Sequence, residues 1–190
     1  MKTKKCQVLV VGAGPGGYVA AIRSAQLGLS TIIVEGERAG GTCLIRGCIP
    51  SKALIHAAHT FHNLEKHAKK DGHMGISIPG PAELVMENLV GWKEGIVDRL
   101  NKGVEALLKN AGAELVAGWA VFQDAKTVKV GEGKDATIIQ ADHVVMAQGS
   151  VPIELPFMPF SDNVLSSREA LSLTTLPEHV VVVGGGYIGL

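Results

Sequence analysis

Cys43 and Cys48 are separated by four residues within GGTCLIRGCIPSK, the stretch from Gly40 to Lys52. A close cysteine pair set among glycines is a candidate for redox or metal chemistry. A disulfide holds its two Cα atoms about 4.4 to 6.8 Å apart. Residues five apart in an unbroken α-helix are separated by roughly 8 to 9 Å, from the rise and radius of the helix. If the two sulfurs pair, the segment is therefore a bent helical entrance, and Gly47 and Pro50 suit such a bend. A helix from Ser51 to about His67 would turn its positive end toward the sulfurs and lower a thiolate pKa. A zinc site from Cys43, Cys48, His56 and His59 fails on spacing: the gap between the pairs is too short for a finger, and His-x-x-His is tighter than usual. No metal is expected. His56, His59, His62 and His67 read instead as the solvated side of that helix, with Ala53, Leu54, Ala57, Ala58, Phe61 and Leu64 as its apolar face.

The elements that must position the cysteines come before them. Gln7–Val11 is a β-branched apolar run, the pattern of a buried parallel strand. It leads into GAGPGG, in which Gly12, Gly14 and Gly17 satisfy G-x-G-x-x-G. A helix follows, ending near Gly28, and then a second strand, Thr31–Val34, which stops at Glu35. An acid about 20 positions after the glycines is where a carboxylate meets a ribose hydroxyl pair. Strand, turn, helix, strand and acid together predict an adenine-dinucleotide site, whereas a glycine pattern alone would equally suit an empty βα turn. Gly12 would permit the tight turn, Gly14 would let the backbone reach a pyrophosphate, and Gly17 would let the helix lie close on the strand.

Composition narrows the class. Hydrophobic residues make up 46% and charged residues 19% of 190, so the chain is globular rather than disordered. Eighteen basic residues balance eighteen acidic ones, which gives no electrostatic case for nucleic acid or a membrane surface. The apolar run behind the basic MKTKK start breaks at Gly12, too early for a secretory signal or a membrane span. Cys6 reads as a small core hydrophobe.

Further on, Lys70–Pro81 is polar and glycine-rich, a loop. Leu89, Trp92, Ile96, Leu100, Val104 and Leu107 then recur at helical spacing between about Glu83 and Asn110, with Gly112 past the end, and Trp92 is expected in the core. Glu114–Phe122, Thr127–Val130, Thr137–Gln140 and His143–Ala147 read as an antiparallel meander. IELPFMPF reads as a linker, followed by a small helix near Ser167–Leu173. The opening device then repeats: His179–Val183 resembles the first strand and runs into GGGYIG, where Gly184, Gly186 and Gly189 again fit G-x-G-x-x-G. A parallel strand and a glycine turn with nothing to pack on them do not make a stable unit, so the chain is expected to be the front of a longer protein.

Two dinucleotide fingerprints flanking a C-x4-C segment resemble the flavoprotein pyridine nucleotide-disulfide oxidoreductases. GGTCLIRGCIPSKAL is most similar to the branch that oxidises protein-bound dihydrolipoamide. The resemblance implies an α/β fold: a Rossmann-like FAD-binding domain over residues 1–152, with a parallel sheet and the β-meander, then the start of a second Rossmann-like, NAD-binding domain over 153–190. It implies FAD on Gly12, Gly14, Gly17 and Glu35, and NAD on Gly184, Gly186 and Gly189. It places Gly41, Thr42 and Lys52 along the flavin and its phosphates, Gly118 at the adenine side, and Ala147 and Gly149 closing the site. Cys43 would be the thiol that exchanges with dihydrolipoamide and Cys48 the one lying against the flavin. The general base would be a histidine in a later interface domain of a partner subunit, so these residues alone are expected to bind FAD without turnover. The implied partners are a lipoyl domain of a 2-oxo-acid dehydrogenase complex and a second copy of the enzyme. The implied setting is bacterial cytoplasm or the mitochondrial matrix. Ile45, Arg46 and Gln148 depart from the family's usual asparagine, aliphatic residue and threonine. Glutathione reductase and mercuric reductase share the cysteine spacing, and Ser51 followed by Ala53 and Leu54 favours the dihydrolipoamide branch.

Overall fold

The structure is a computed structural model, described for residues 2–68 and 73–189. It comprises two compact units, each of two segments: Met1–Ile45 with Asp98–Val151, and Arg46–Val97 with Pro152–Leu190. The division at 152/153 read from the sequence follows motif order, whereas these units follow contact.

The first unit is built on one six-stranded sheet in the order β3-β2-β1-β6-β5-β4. Its strands are β1 (Lys2–Val11), β2 (Thr31–Glu35), β3 (Glu114–Ala117), β4 (Ala120–Phe122), β5 (Thr127–Val130) and β6 (Thr137–Met146). β1, β2, β3 and β6 are parallel, and β5 and β4 continue the sheet antiparallel. Helix α1 (Pro15–Gln26) links β1 to β2 and packs on both, the unit that a parallel pair with a short crossover requires. Pro15 opens α1, where its missing N–H is no loss. Gly28, at φ +85°, closes it: the Gly28 amide bonds the Ala25 carbonyl and the Leu29 amide that of Ser24. Leu9, Val11, Ile32, Val34, Val128, Val130 and Ile139 share one buried cluster with Cys6, whose thiol pKa is pushed up chiefly by that burial. Each large aliphatic side chain fully buried there contributes about 1.5–3 kcal/mol.

The meander differs from expectation at both ends. Glu114–Phe122 is two strands, because Gly118, at φ +137°, turns the chain between them; the first pairs parallel with β2. Thr137–Gln140 and His143–Ala147 are one continuous strand ending at Met146, since β1 runs beside its whole length.

In the second unit α3 (Cys48–His67) begins three residues before the expected Ser51. Of the expected loop after it, Lys70–Gly72 lie outside the described residues, and His73–Ile76 form a tight turn closed by two backbone bonds. α4 (Met86–Ala111) contributes residues to both units and ends at Gly112 as expected. Its buried stripe, however, is Lys93, Val97, Asn101, Val104 and Leu108, so of the expected stripe only Val104 is fully buried. Trp92, Leu100 and Leu107 are exposed, which corrects the core assignment of Trp92. The helix buries two polar residues because each has a fixed acceptor. Lys93 Nζ donates to the Leu171 carbonyl at 2.8 Å and lies 2.6 Å from Glu94 Oε1, and Asn101 bonds the Ala39 carbonyl.

The linker IELPFMPF is a run of turns, with a bridge between Leu155 and Met158. α5 (Ser167–Ala170) is capped by a reciprocal Ser166–Glu169 box that holds the Glu169 carboxyl below its usual range. His179–Val183 is not a strand: Val180–Val183 are exposed, and among the described residues no strand pairs with them. A parallel strand owes its hydrogen bonds to its neighbours, so β-branched composition alone does not form one. No helix is long and apolar enough to cross a membrane among the described residues.

Candidate functional site

Strand register brings the predicted residues of the first unit to one edge of the sheet. Val11 pairs with Val34, Glu35 with Ala117, and Val11 with Met146. Gly12, Glu35, Gly118 and Ala147 therefore all stand at the carboxyl ends of adjacent parallel strands, the position at which open α/β sheets bind ligands. Backbone bonds fasten them there: the Gly12 amide donates to the Val34 carbonyl at 2.8 Å, Gly118 to Glu35 at 2.8 Å, and Ala147 to Val11 at 2.8 Å.

The glycines are required by contact. Gly12 has φ +98°, and a Cβ there would collide with the Ala147 carbonyl. A Cβ on Gly17 would collide with the Gly12 carbonyl, so α1 can rest on the turn only through a bare α-carbon. Gly14 and Gly16 have open space where a side chain would be, apart from Gly41 Cα at an ordinary 3.8 Å from the Gly14 position. The turn is thus closed on its sheet side and open where a pyrophosphate would approach the first amides of α1. Glu35 is already engaged with the turn: its Oε2 accepts from the Ala13 amide at 2.7 Å and its Oε1 from the Glu37 amide at 2.9 Å. The carboxylate read as a ribose ligand also orders the glycine loop, a second task that spacing alone does not announce.

The segment leading to the first cysteine is tied to this turn. The Gly40 amide donates to the Ala13 carbonyl at 2.8 Å. Gly41, at φ +61°, lies so close to Gly14 that a Cβ would strike its α-carbon. α2 (Gly41–Arg46) starts from that contact and carries Thr42, exposed, and Cys43, half-buried. Asn101, 7% exposed, fixes the same junction by donating from Nδ2 to the Ala39 carbonyl at 2.7 Å, and Arg38 Nη2 meets Asp98 Oδ1 at 2.6 Å. Neither Asn101 nor Arg38 is legible from local pattern, because each finds its partner some 60 positions away along the chain. Asn101→Ala should lower the unfolding free energy by about 1–3 kcal/mol, since it strands a buried carbonyl. Asp98→Ala, at an exposed pair, should cost at most about 1 kcal/mol. Urea unfolding of the two variants measures the contrast.

Gly47 breaks the helix between the cysteines, with φ −144° and ψ −113°, so α2 ends at Arg46 and α3 begins at Cys48. Pro50 is buried in the first turn of α3, and both the amide and the hydroxyl of Ser51 donate to the Gly47 carbonyl, at 2.9 and 2.7 Å. Cys48 and Lys52 are exposed on α3. Gly149, at φ +74°, is exposed with nothing within 4 Å of its Cβ position, and Gln148 beside it is exposed too.

In the second unit Gly184 has φ +108°, close to the +98° of Gly12. A Cβ on Gly189 would collide with the Gly184 carbonyl, as one on Gly17 would with Gly12. Gly186 accepts from the Gly189 amide at 3.0 Å. The second glycine sequence therefore makes the same turn without its strand. Leu190 lies outside the described residues.

Residues 6–190 match the family described as pyridine nucleotide-disulphide oxidoreductase. The dihydrolipoyl dehydrogenase of Pseudomonas aeruginosa is 50% identical over 187 residues, which are 98% of this chain and 40% of that protein. The dihydrolipoyl dehydrogenase of Geobacillus stearothermophilus is 48% identical over 184 residues, 97% of this chain and 38% of that protein. The chain thus spans about two fifths of the length of the curated relatives it matches. In fold it resembles the HOCl-induced flavoprotein disulfide reductase RclA from Escherichia coli, with a TM-score of 0.77 at 24% identity over 96% of this chain and 38% of that one.

Proposed function

Because this chain belongs to the pyridine nucleotide-disulphide oxidoreductases, we propose that it is the FAD-binding, disulfide-bearing part of an enzyme that oxidises protein-bound dihydrolipoamide to lipoamide and reduces NAD+ to NADH. The observation that carries this reading is the direct packing of Gly41, at the start of the Cys43 helix, on Gly14 of the dinucleotide turn. The residues fit FAD: a turn that admits no side chain at Gly12, Gly17 or Gly41, open space at Gly14 and Gly16, and a carboxylate at the end of β2.

Gly12, Gly14 and Gly17 would hold the pyrophosphate at the start of α1, Glu35 the ribose, and Gly118, Ala147 and Gly149 the surrounding edge. Gly41, Thr42 and Lys52 would line the flavin side. When bound, FAD supplies a two-electron relay between thiols and nicotinamide. Cys43 and Cys48 cycle between disulfide and dithiol. A substrate thiolate attacks Cys43 Sγ, the Cys43–Cys48 bond breaks, and Cys48 leaves as thiolate. The second substrate thiol then displaces Cys43, so lipoamide departs with its own disulfide closed and the two electrons remain on the cysteine pair. Gly184, Gly186 and Gly189 would turn the backbone against the NAD pyrophosphate. The base that ionises the substrate dithiol comes from residues beyond these, in a homodimer that receives lipoyl domains of a 2-oxo-acid dehydrogenase complex in bacterial cytoplasm or the mitochondrial matrix.

Incubation with FAD followed by gel filtration should leave yellow protein, and dihydrolipoamide added above about pH 8.5, where its thiols ionise without a base, should reduce the cysteine pair and raise a long-wavelength thiolate-to-flavin band. Colour without that band on addition of dihydrolipoamide would leave a dinucleotide-binding protein and remove the disulfide reaction; a colourless protein would remove both.

A further inference from the structure

Trp119 directly follows Gly118, whose amide is fastened to the Glu35 carbonyl, and precedes β4. Its side chain is 71% exposed, unusual for the largest apolar residue, yet it is seated on something. A methyl placed on Gly36 would lie 2.6, 2.7 and 2.9 Å from Trp119 Cδ2, Cε2 and Cε3. Cδ2 and Cε2 are the two atoms of the ring-fusion bond, in the interior of the bicycle. A probe can be nearest to both only from above the ring plane, so one face of the indole rests on Gly36. The absence of a side chain at Gly36 makes that seat, and the other face is open.

The seat adjoins Glu35. A ribose held by the Glu35 carboxylate would bring its base toward the neighbouring Gly36 and the indole seated on it. Bases stack on exposed aromatic faces irrespective of hydrogen-bond pattern, and tryptophan offers the largest such face. We infer that Trp119, held flat by Gly36, is the platform on which the adenine of the dinucleotide stacks. This rests on the reading that the first glycine turn binds FAD, and it assigns to Trp119 the binding strength contributed by the adenine end.

The chain has two tryptophans, so Trp92→Phe leaves Trp119 as the sole indole reporter. Titrating that protein with ADP, which carries the adenine and no flavin, should quench its emission. Trp119→Leu should weaken both ADP and FAD about tenfold or more while leaving FMN, which lacks adenine, unchanged. Trp119→Phe should recover most of the loss. Gly36→Ala keeps the indole but displaces it, and should weaken ADP in parallel. Because Trp119 is exposed, circular dichroism of its variants should match the parent. ADP binding with no change in emission, or FAD affinity within twofold in Trp119→Leu, overturns the platform and leaves FAD binding standing. Failure of the parent protein to bind either FAD or ADP overturns both.

Discussion

Gly17→Ala should weaken FAD binding by at least about a hundredfold, equivalent to roughly 2.7 kcal/mol. The added methyl would fall on the Gly12 carbonyl, and backbone cannot swing aside as a flexible side chain can. Relief requires α1 to move off β1 and β6, where it packs. That shift carries away the amides at the start of α1 and separates the Glu35 carboxylate from the Ala13 amide. Overpacking of this kind costs about 1–3 kcal/mol in stability. Binding suffers beyond that, since the turn is the part displaced. Gly16→Ala is the control: nothing lies within 4 Å of its Cβ position and its φ is ordinary, so it should fold as the parent does. Isothermal titration with FAD, alongside urea unfolding, separates the two effects.

Cys48→Ser should slow dihydrolipoamide-dependent reduction of the FAD-loaded protein by at least about a thousandfold, the scale on which loss of an essential nucleophile is felt. A serine cannot form the disulfide that the substrate attacks, and its hydroxyl is a poor leaving group in its place. The rate is best read above about pH 8.5, where a free thiol ionises without a base. Cys6→Ser is the comparison. Cys6 is buried against the Gln140 carbonyl with its pKa raised, so the change should leave the reduction rate nearly as it was. Equal losses in both variants would indicate damage to the fold and not to the chemistry.

Much of this arrangement is legible in the chain. The run Gln7–Val11, the three glycines, the Thr31–Val34 run and Glu35 specify a local βαβ unit, because each link is short and each residue type has one physical reason to be there. Gly12 and Gly17 stand in the contacts that the motif predicts. The kink at Gly47 was likewise readable from the incompatibility of a disulfide with unbroken helix. What escaped depends on distant partners. The parallel pairing of β3 with β2 cannot be told from a hairpin by composition, since both accept β-branched residues. The buried stripe of α4 lies one position from the apolar one, because Lys93 and Asn101 look like surface residues until their carbonyl acceptors are known. His179–Val183 has strand composition and no strand, for want of pairing neighbours among the described residues. The double engagement of Glu35 and the seat of Trp119 on Gly36 arise from side chains folding back on turns, which spacing does not encode.

In the proposed reaction the sulfurs of Cys43 and Cys48 work against a flavin held by the first glycine turn. The absorption spectrum of the FAD-loaded protein tests it most directly, taken before and after addition of two electrons. A long-wavelength thiolate-to-flavin band should appear on reduction of the parent, be present before reduction in Cys43→Ser, where Cys48 has no partner to pair with, and be missing from Cys48→Ser throughout. Identical spectra for the parent and Cys48→Ser at every stage would mean that the Cys48 sulfur does not lie against the flavin.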